Sequence, residues 1–137
     1  MYKRIMISLD NSPADDAILI HIRPLAKLMQ SKLTLIHVAD GFQARNQKEL
    51  GESEEMRRDR EYLEKREQEL RSEGFDAKSV LTWGDPAKRI VEAAESGKCD
   101  LIAMATHGHK LIGDLIYGSV ATDVRHRSKI PVLLVRA

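Results

Sequence analysis

The chain has 137 residues, which accounts for a single domain over 1–137 and excludes a second. Hydrophobic residues make up 42% and charged residues 31%, a globular and not a disordered balance. The formal charge of +1 excludes the strong basic field that gathers proteins on nucleic acid or anionic membrane, and the single cysteine excludes an intramolecular disulfide and suits a reducing compartment.

Lys3 and Arg4 precede an apolar stretch that stops at Asp10. This is too short for a secretory signal, and no apolar run approaches the ~18 residues of a membrane span. The chain reads as a mature cytoplasmic protein with neither nucleic acid nor membrane as partner.

Arg4 to Leu9 is rich in Ile and Met and predicts a first strand. Ser12 is a suitable N-cap, Pro13 suits a first helical position, and Asp15 follows three residues after the cap. A helix is expected from there to Gln30, kinked at Pro24. Leu33 to Val38 predicts a second strand, with His37 as a hydrogen-bonded core or rim residue. Residues 48–73 carry 7 basic and 10 acidic side chains, and Met56, Leu63 and Leu70 recur every seventh position. That pattern predicts a long solvated helix with one thin apolar seam, closed by Gly74.

Lys78 to Trp83 is a more polar strand, placed at an edge. Ala87 to Ser96 predicts a helix with Ile90, Val91, Ala93 and Ala94 inward, closed by Gly97. Asp100 to Thr106 is almost continuously apolar, as a strand covered on both faces should be. A glycine-bearing loop follows, then a helix expected to start near Gly118-Ser119. Ile130 to Val135 is the last strand. Strict alternation of strand and helix predicts an α/β fold: an open, doubly wound, five-stranded parallel sheet in the order 3-2-1-4-5, Rossmann-like, with helices on both faces. Ligands of such sheets sit at the carboxyl ends of the strands, beside the switch in winding.

The most informative carboxyl end is the fourth. Gly108 permits close approach of backbone amides to an anion, and Ser119 adds a hydroxyl donor. A helix opening at Gly118-Ser119 would direct unpaired N–H groups and a positive dipole end at phosphate. His109 and Lys110 are placed to meet outer phosphates.

Gly108, the nine residues His109 to Tyr117, and Gly118-Ser119 match the second and third parts of a Gly-x2-Gly-x9-Gly-Ser/Thr motif, with Ala105 replacing its first glycine. The motif, together with Ile7-Ser8-Leu9-Asp10-Asn11-Ser12, Leu35-Ile36-His37-Val38, Gly84-Asp85-Pro86 and Ile130-Pro131-Val132-Leu133-Leu134-Val135, resembles the universal stress protein family, ATP-binding type, over nearly the whole chain. The resemblance implies a homodimer and an adenine nucleotide: ATP, with magnesium, or ADP or AMP. It implies that Ser8, Leu9, Asp10 and Val38 line adenine and ribose, with Met104 and Ala105 near them. Gly108, Gly118, Ser119 and Val120 would hold ribose and phosphates, with His107, His109 and Lys110 on the same loop. The Ala105 methyl is expected to cost some affinity.

Other chemistries lack their residues. There is no Gly-x4-Gly-Lys-Ser/Thr phosphate loop and no Gly-x-Gly-x2-Gly after the first strand. His107 and His109 have no accompanying cluster that would complete a zinc site. No general base for hydrolysis stands out, so any ATP hydrolysis is expected to be slow. The functional expectation is an ATP-binding regulatory protein of the stress response. The competing readings are a nucleotide-independent homodimeric interaction module and a binder of AMP or cyclic AMP. The last strand is expected at an uncharged edge, so a homodimer is expected through Ile130 to Val135.

Overall fold

The computed structural model describes residues 1–39, 54–106 and 111–137. The elements in chain order are β1 (Arg4–Ser8), α1 (Ala14–Met29), β2 (Lys32–Ala39), α2 (Glu54–Ser72), β3 (Asp76–Trp83), α3 (Pro86–Ser96), β4 (Leu101–Thr106), α4 (Leu111–Arg127) and β5 (Val132–Arg136). All strand pairs are parallel, and the sheet order is β3-β2-β1-β4-β5, as the alternation predicts. β1 is central. Ile5 lies opposite Leu33 on one side and Leu101 on the other.

The alternation of side chains along each strand creates two cores. Ile5, Ile7, Leu33, Leu35, Leu101, Ala103 and Ala105 face α1 and α2, where Ile18, Ile22, Leu63 and Leu70 cover them. Met6, Ile36, Ile102 and Met104 face the other way, under Ile90, Ala94, Ala121 and Val124 of α3 and α4. Strands covered on both faces need apolar residues at consecutive positions, and Leu101 to Ala105 are all buried.

α1 is one helix running through Pro24, which lies on its exposed side. The donor that Pro24 withholds would have served the carbonyl of Ile20, also on the exposed side, where water can replace it. The helix closes on Gln30 in the left-handed conformation, with the Ser31 N–H donating to the Ala26 carbonyl at 2.9 Å. In α2 the predicted seam is the buried one: Met56, Leu63 and Leu70 are at most 2% exposed. Gly74, at φ +96°, ends the helix, and the Phe75 N–H reaches back to the Leu70 carbonyl at 3.0 Å.

Several boundaries differ from the sequence expectation. β3 begins at Asp76 and lies at the predicted edge. Gly97 ends α3, but at φ −81°; the left-handed turn falls on Lys98. Ala93 is half-buried, and Ala87 takes its place among the inward residues of α3. β5 starts at Val132 and runs to Arg136, so a charged residue ends the edge strand. The largest correction concerns α4, which begins at Leu111 and not near Gly118-Ser119. Leu111, Ile112, Leu115 and Ile116 recur at helical spacing, and that periodicity carries the helix through both glycines.

If the α2 seam anchors the helix to the sheet, Leu70→Ala should lower the unfolding free energy by ~2–5 kcal/mol. Leu28→Ala, on the exposed side of α1, should change it by less than ~0.5 kcal/mol. Urea midpoints of the two variants check this.

Candidate functional site

The winding reverses beside β1. α1 and α2 follow β1 and β2 on one face, while α3 returns the chain across the sheet to β4. The carboxyl ends of β1 and β4 therefore border the place where open α/β sheets hold ligands. This edge has two sides of different character.

The side facing α3 and α4 is mostly apolar. Ser8 pairs in register with Ile36 and lies on the same face as Met6. Val38 and Val120 are half-buried against the cluster containing Ile36, Met104 and Ala121. Four residues named from the sequence, Ser8, Val38, Met104 and Val120, thus share one face near one sheet edge. Ser119 is exposed on α4, one residue before Val120.

The side facing α1 and α2 is polar and closely bonded. Asp15 is 1% exposed. Its carboxylate accepts from the N–H groups of Asp10 at 3.1 Å and Asn11 at 2.9 Å, and from the Tyr62 hydroxyl at 2.7 Å. α1 begins at Ala14 with Pro13, and not the expected Ser12, at the N-cap position, so Asp15 holds the amides of the preceding loop and does not close a reciprocal box with Ser12. Ser12 Oγ accepts from the Ala14 N–H at 3.2 Å and donates to Asp10 Oδ1 at 2.6 Å. Burial pushes the Asp15 carboxyl up to about 6, and the Asp10 charge adds to that, while the bonds from Tyr62 and the Asp10 amide oppose it. Burial and the neighbouring Asp15 raise the Tyr62 phenol as well. Arg66 donates to the Tyr62 oxygen at 3.1 Å and pairs with Asp16. Burial opposes its charge, but these two partners more than offset it and hold the guanidinium charged.

His37 belongs to the same cluster. Its Nδ1–H donates to the Leu9 carbonyl at 2.9 Å, and Nε2 lies 3.2 Å from Asp59 of α2. Asn11, at φ +60°, donates from its side chain toward Asp59 at 3.5 Å. Asparagine tolerates this left-handed conformation better than most residues.

The structure separates the residues predicted to form the site. Leu9 is 2% exposed in the α1-side core, its N–H donates to the Ile36 carbonyl, and its own carbonyl is taken by His37. Asp10 is half-buried in the loop, where it accepts from Ser12. Ala105 is in extended strand conformation with its methyl in the α1-side core, 3% exposed. Nothing at that position requires a glycine. His107, Gly108, His109 and Lys110 lie outside the described residues. Gly118 and Ser119 are the eighth and ninth residues of α4, so the unpaired amides expected of them belong to the first turn, Leu111 to Asp114.

Asp15, Asp59, Tyr62 and Arg66 were not singled out as site residues by the sequence. A signal was present. Asp59, Tyr62 and Arg66 are spaced by three and four, on a flank of the Met56–Leu63–Leu70 seam. Amid 17 charged residues over 48–73, that stripe resembles solvated surface. Cys99 is buried, and desolvation pushes its thiol up, consistent with a structural role.

Fold and edge together define a doubly wound α/β protein, a class whose ligands sit at the carboxyl ends of the strands beside the switch point, here between β1 and β4. The chain belongs to the universal stress protein family, whose profile matches residues 1–136. It is 27% identical over 155 aligned positions to universal stress protein MJ0577 of Methanocaldococcus jannaschii, covering 99% of this chain and 96% of that protein. The solved structure of MJ0577 superimposes with a TM-score of 0.84 at 29% identity, over 100% of this chain and 97% of that one. A universal stress protein solved in complex with cAMP matches at TM-score 0.72 and 23% identity, over 98% of this chain and 97% of that one. One from Archaeoglobus fulgidus, solved in complex with dAMP, matches at TM-score 0.72 and 21% identity, over 98% of each chain.

Removing the Ser12 hydroxyl frees both the Ala14 N–H and Asp10 Oδ1. Ser12→Ala should therefore cost ~0.5–2 kcal/mol of stability, read from thermal or denaturant unfolding.

Proposed function

We propose that this chain is an adenine-nucleotide-binding regulatory protein of the cytoplasm. The observation that carries the reading is the convergence of Ser8, Val38, Met104 and Val120 on one face at the switch point. Apolar walls with a few polar groups suit a purine and its ribose. Base and sugar lie against Ser8, Val38 and Met104, with Asp10 at the rim. Phosphates extend toward the loop bearing His107, Gly108, His109 and Lys110, and toward the part of α4 carrying Gly118, Ser119 and Val120. The two neighbours solved with cAMP and dAMP support an adenine ligand. The basic balance of the last quarter of the chain supports an anionic one: from Ala105 onward there are five Lys or Arg against two Asp. ATP, with magnesium, is the ligand preferred here, and AMP, ADP or cyclic AMP are its competitors.

The site binds and does not drive hydrolysis in this reading. Occupancy would bias a partner-binding or dimeric state. A homodimer would form through β5, an edge strand with Leu134 49% exposed. The same edge is what would serve a nucleotide-independent interaction module.

Mass spectrometry of small molecules released from freshly purified protein, followed by calorimetric titration with ATP, AMP and cyclic AMP, tests the reading. Val120→Glu places a charge against the apolar wall and should weaken nucleotide binding at least tenfold, about 1.4 kcal/mol. Ala105→Gly should leave affinity unchanged, because its methyl packs into the α1-side core. Absence of released nucleotide and of any binding heat would leave the interaction module. Val132→Lys/Leu134→Lys should yield monomers in light scattering, and a persisting dimer would exclude the β5 interface.

A further inference from the structure

The face of the sheet that α3 covers is longer than α3. The helix has 11 residues, ~16 Å, whereas β2 and β3 have 8 residues each, ~26 Å. α3 starts beside the carboxyl end of β3 and stops at Gly97, and the first residues of β1, β2 and β3 are left exposed on that face. A cleft of about 180 Å³ lies there, lined by residues that include Arg4, Lys32, Thr34, Asp76, Lys78 and Gly97.

Strand register brings these residues together. Arg4 lies opposite Lys32, Lys32 opposite Asp76, and Thr34 opposite Lys78. Each is an even number of positions from Met6, Ile36 or Val80, which pack in the α3/α4 core, so all five side chains emerge on that face. Adjacent strands are ~4.8 Å apart, so three cations on three neighbouring strands are crowded. Like charges set opposite each other cost stability. Little within the chain relieves that cost. The Lys32–Asp76 pair is 3.9 Å long with 61% and 69% of the two side chains exposed, so it contributes little. Among the described residues, Arg4 and Lys78 form no ion pair. The Asp100 carboxylate is engaged by the Lys3 and Arg4 amides, at 3.0 Å each. Burial pushes the Cys99 thiol up, and the charges of Lys78 and Arg4 both oppose it, so the two cations act at one place.

We propose that this cleft binds a phosphate group through Arg4, Lys32, Lys78 and the half-buried Thr34 hydroxyl. The donors stand on three strands around one space, and a tetrahedral anion presents oxygens in several directions at once. Three cations against one carboxylate, Asp76, leave an excess of two positive charges in the cleft, which a phosphate dianion balances. The space admits the anion with a short substituent, as free phosphate or as the phosphate monoester of a small metabolite, and is too small for a nucleotide. The site lies at the amino ends of the strands, opposite the edge assigned to the nucleotide, and does not depend on that assignment.

Amide NMR titration of the full chain with inorganic phosphate, against chloride at equal ionic strength, tests the site. Thr34, Lys78 and Gly97 should show saturable shifts that chloride does not produce. Lys78→Gln and Arg4→Gln should each weaken phosphate about tenfold. In chloride, Arg4→Gln should not lower the thermal midpoint, because it removes the charge facing Lys32; in phosphate, it should lose the rise that the unmodified protein gains. Glycerol phosphate binding more tightly than inorganic phosphate would identify a phosphorylated metabolite as the occupant, and equal or weaker binding would identify free phosphate. Shifts that never saturate, or that chloride reproduces, overturn the proposal. So do shifts confined to Ser8 and Val120, which put the anion at the nucleotide edge, and an unchanged affinity in both variants.

Discussion

β1 is bonded to β2 on one side and to β4 on the other, and the chain winds away from it in opposite directions. A parallel strand cannot be followed directly by its neighbour, so every connection must cross a face of the sheet. α1 and α2 cover one face, and α3 and α4 the other. At the carboxyl end of β1 the two windings part. The edge at which sheets of this class hold ligands is a consequence of that topology and precedes any particular side chain placed there.

The loop after β1 belongs to both sides of this edge. Ser8, just before it, faces the α3/α4 side, while Leu9 points into the opposite core. Three successive backbone groups, the Leu9 carbonyl and the Asp10 and Asn11 amides, are each held by a side chain from elsewhere in the chain. Asp15 and His37 hold these groups, and α2 in turn holds those two through Tyr62 and Asp59. Ordering that loop costs backbone entropy, ~1–2 kcal/mol per residue, which the charge-assisted bonds offset. Burial of the Asp15 charge works against them.

α2 shows how a strongly charged helix can still be a docked one. Leu63 and Leu70 enter the α1-side core, yet Asp59, Tyr62 and Arg66 are also directed inward, toward the loop and α1. Its apolar seam holds the helix to the sheet, and its polar flank sets where the first half rests. Pairs such as Arg57–Glu54 and Arg58–Glu54 remain on the solvated side and contribute little.

Strand order, two-sided burial of β4 and the α2 seam were all legible in the sequence, because each depends on local periodicity and on the alternation of elements. So was the family, through the glycine motif and the strand sequences. The start of α4 was not, because Gly118-Ser119 reads by local rules as a helix opening, and the apolar spacing of residues 111–116 overrides that preference. Nor was the partition of the site residues, with Ser8, Val38, Met104 and Val120 on one face and Leu9 and Ala105 in the opposite core. That partition follows from strand register, which pairs residues more than 25 positions apart. The bonding of Asp15 to Tyr62, 47 residues away, and of His37 to both Leu9 and Asp59 likewise exists only once the sheet has brought α1, β2 and α2 together.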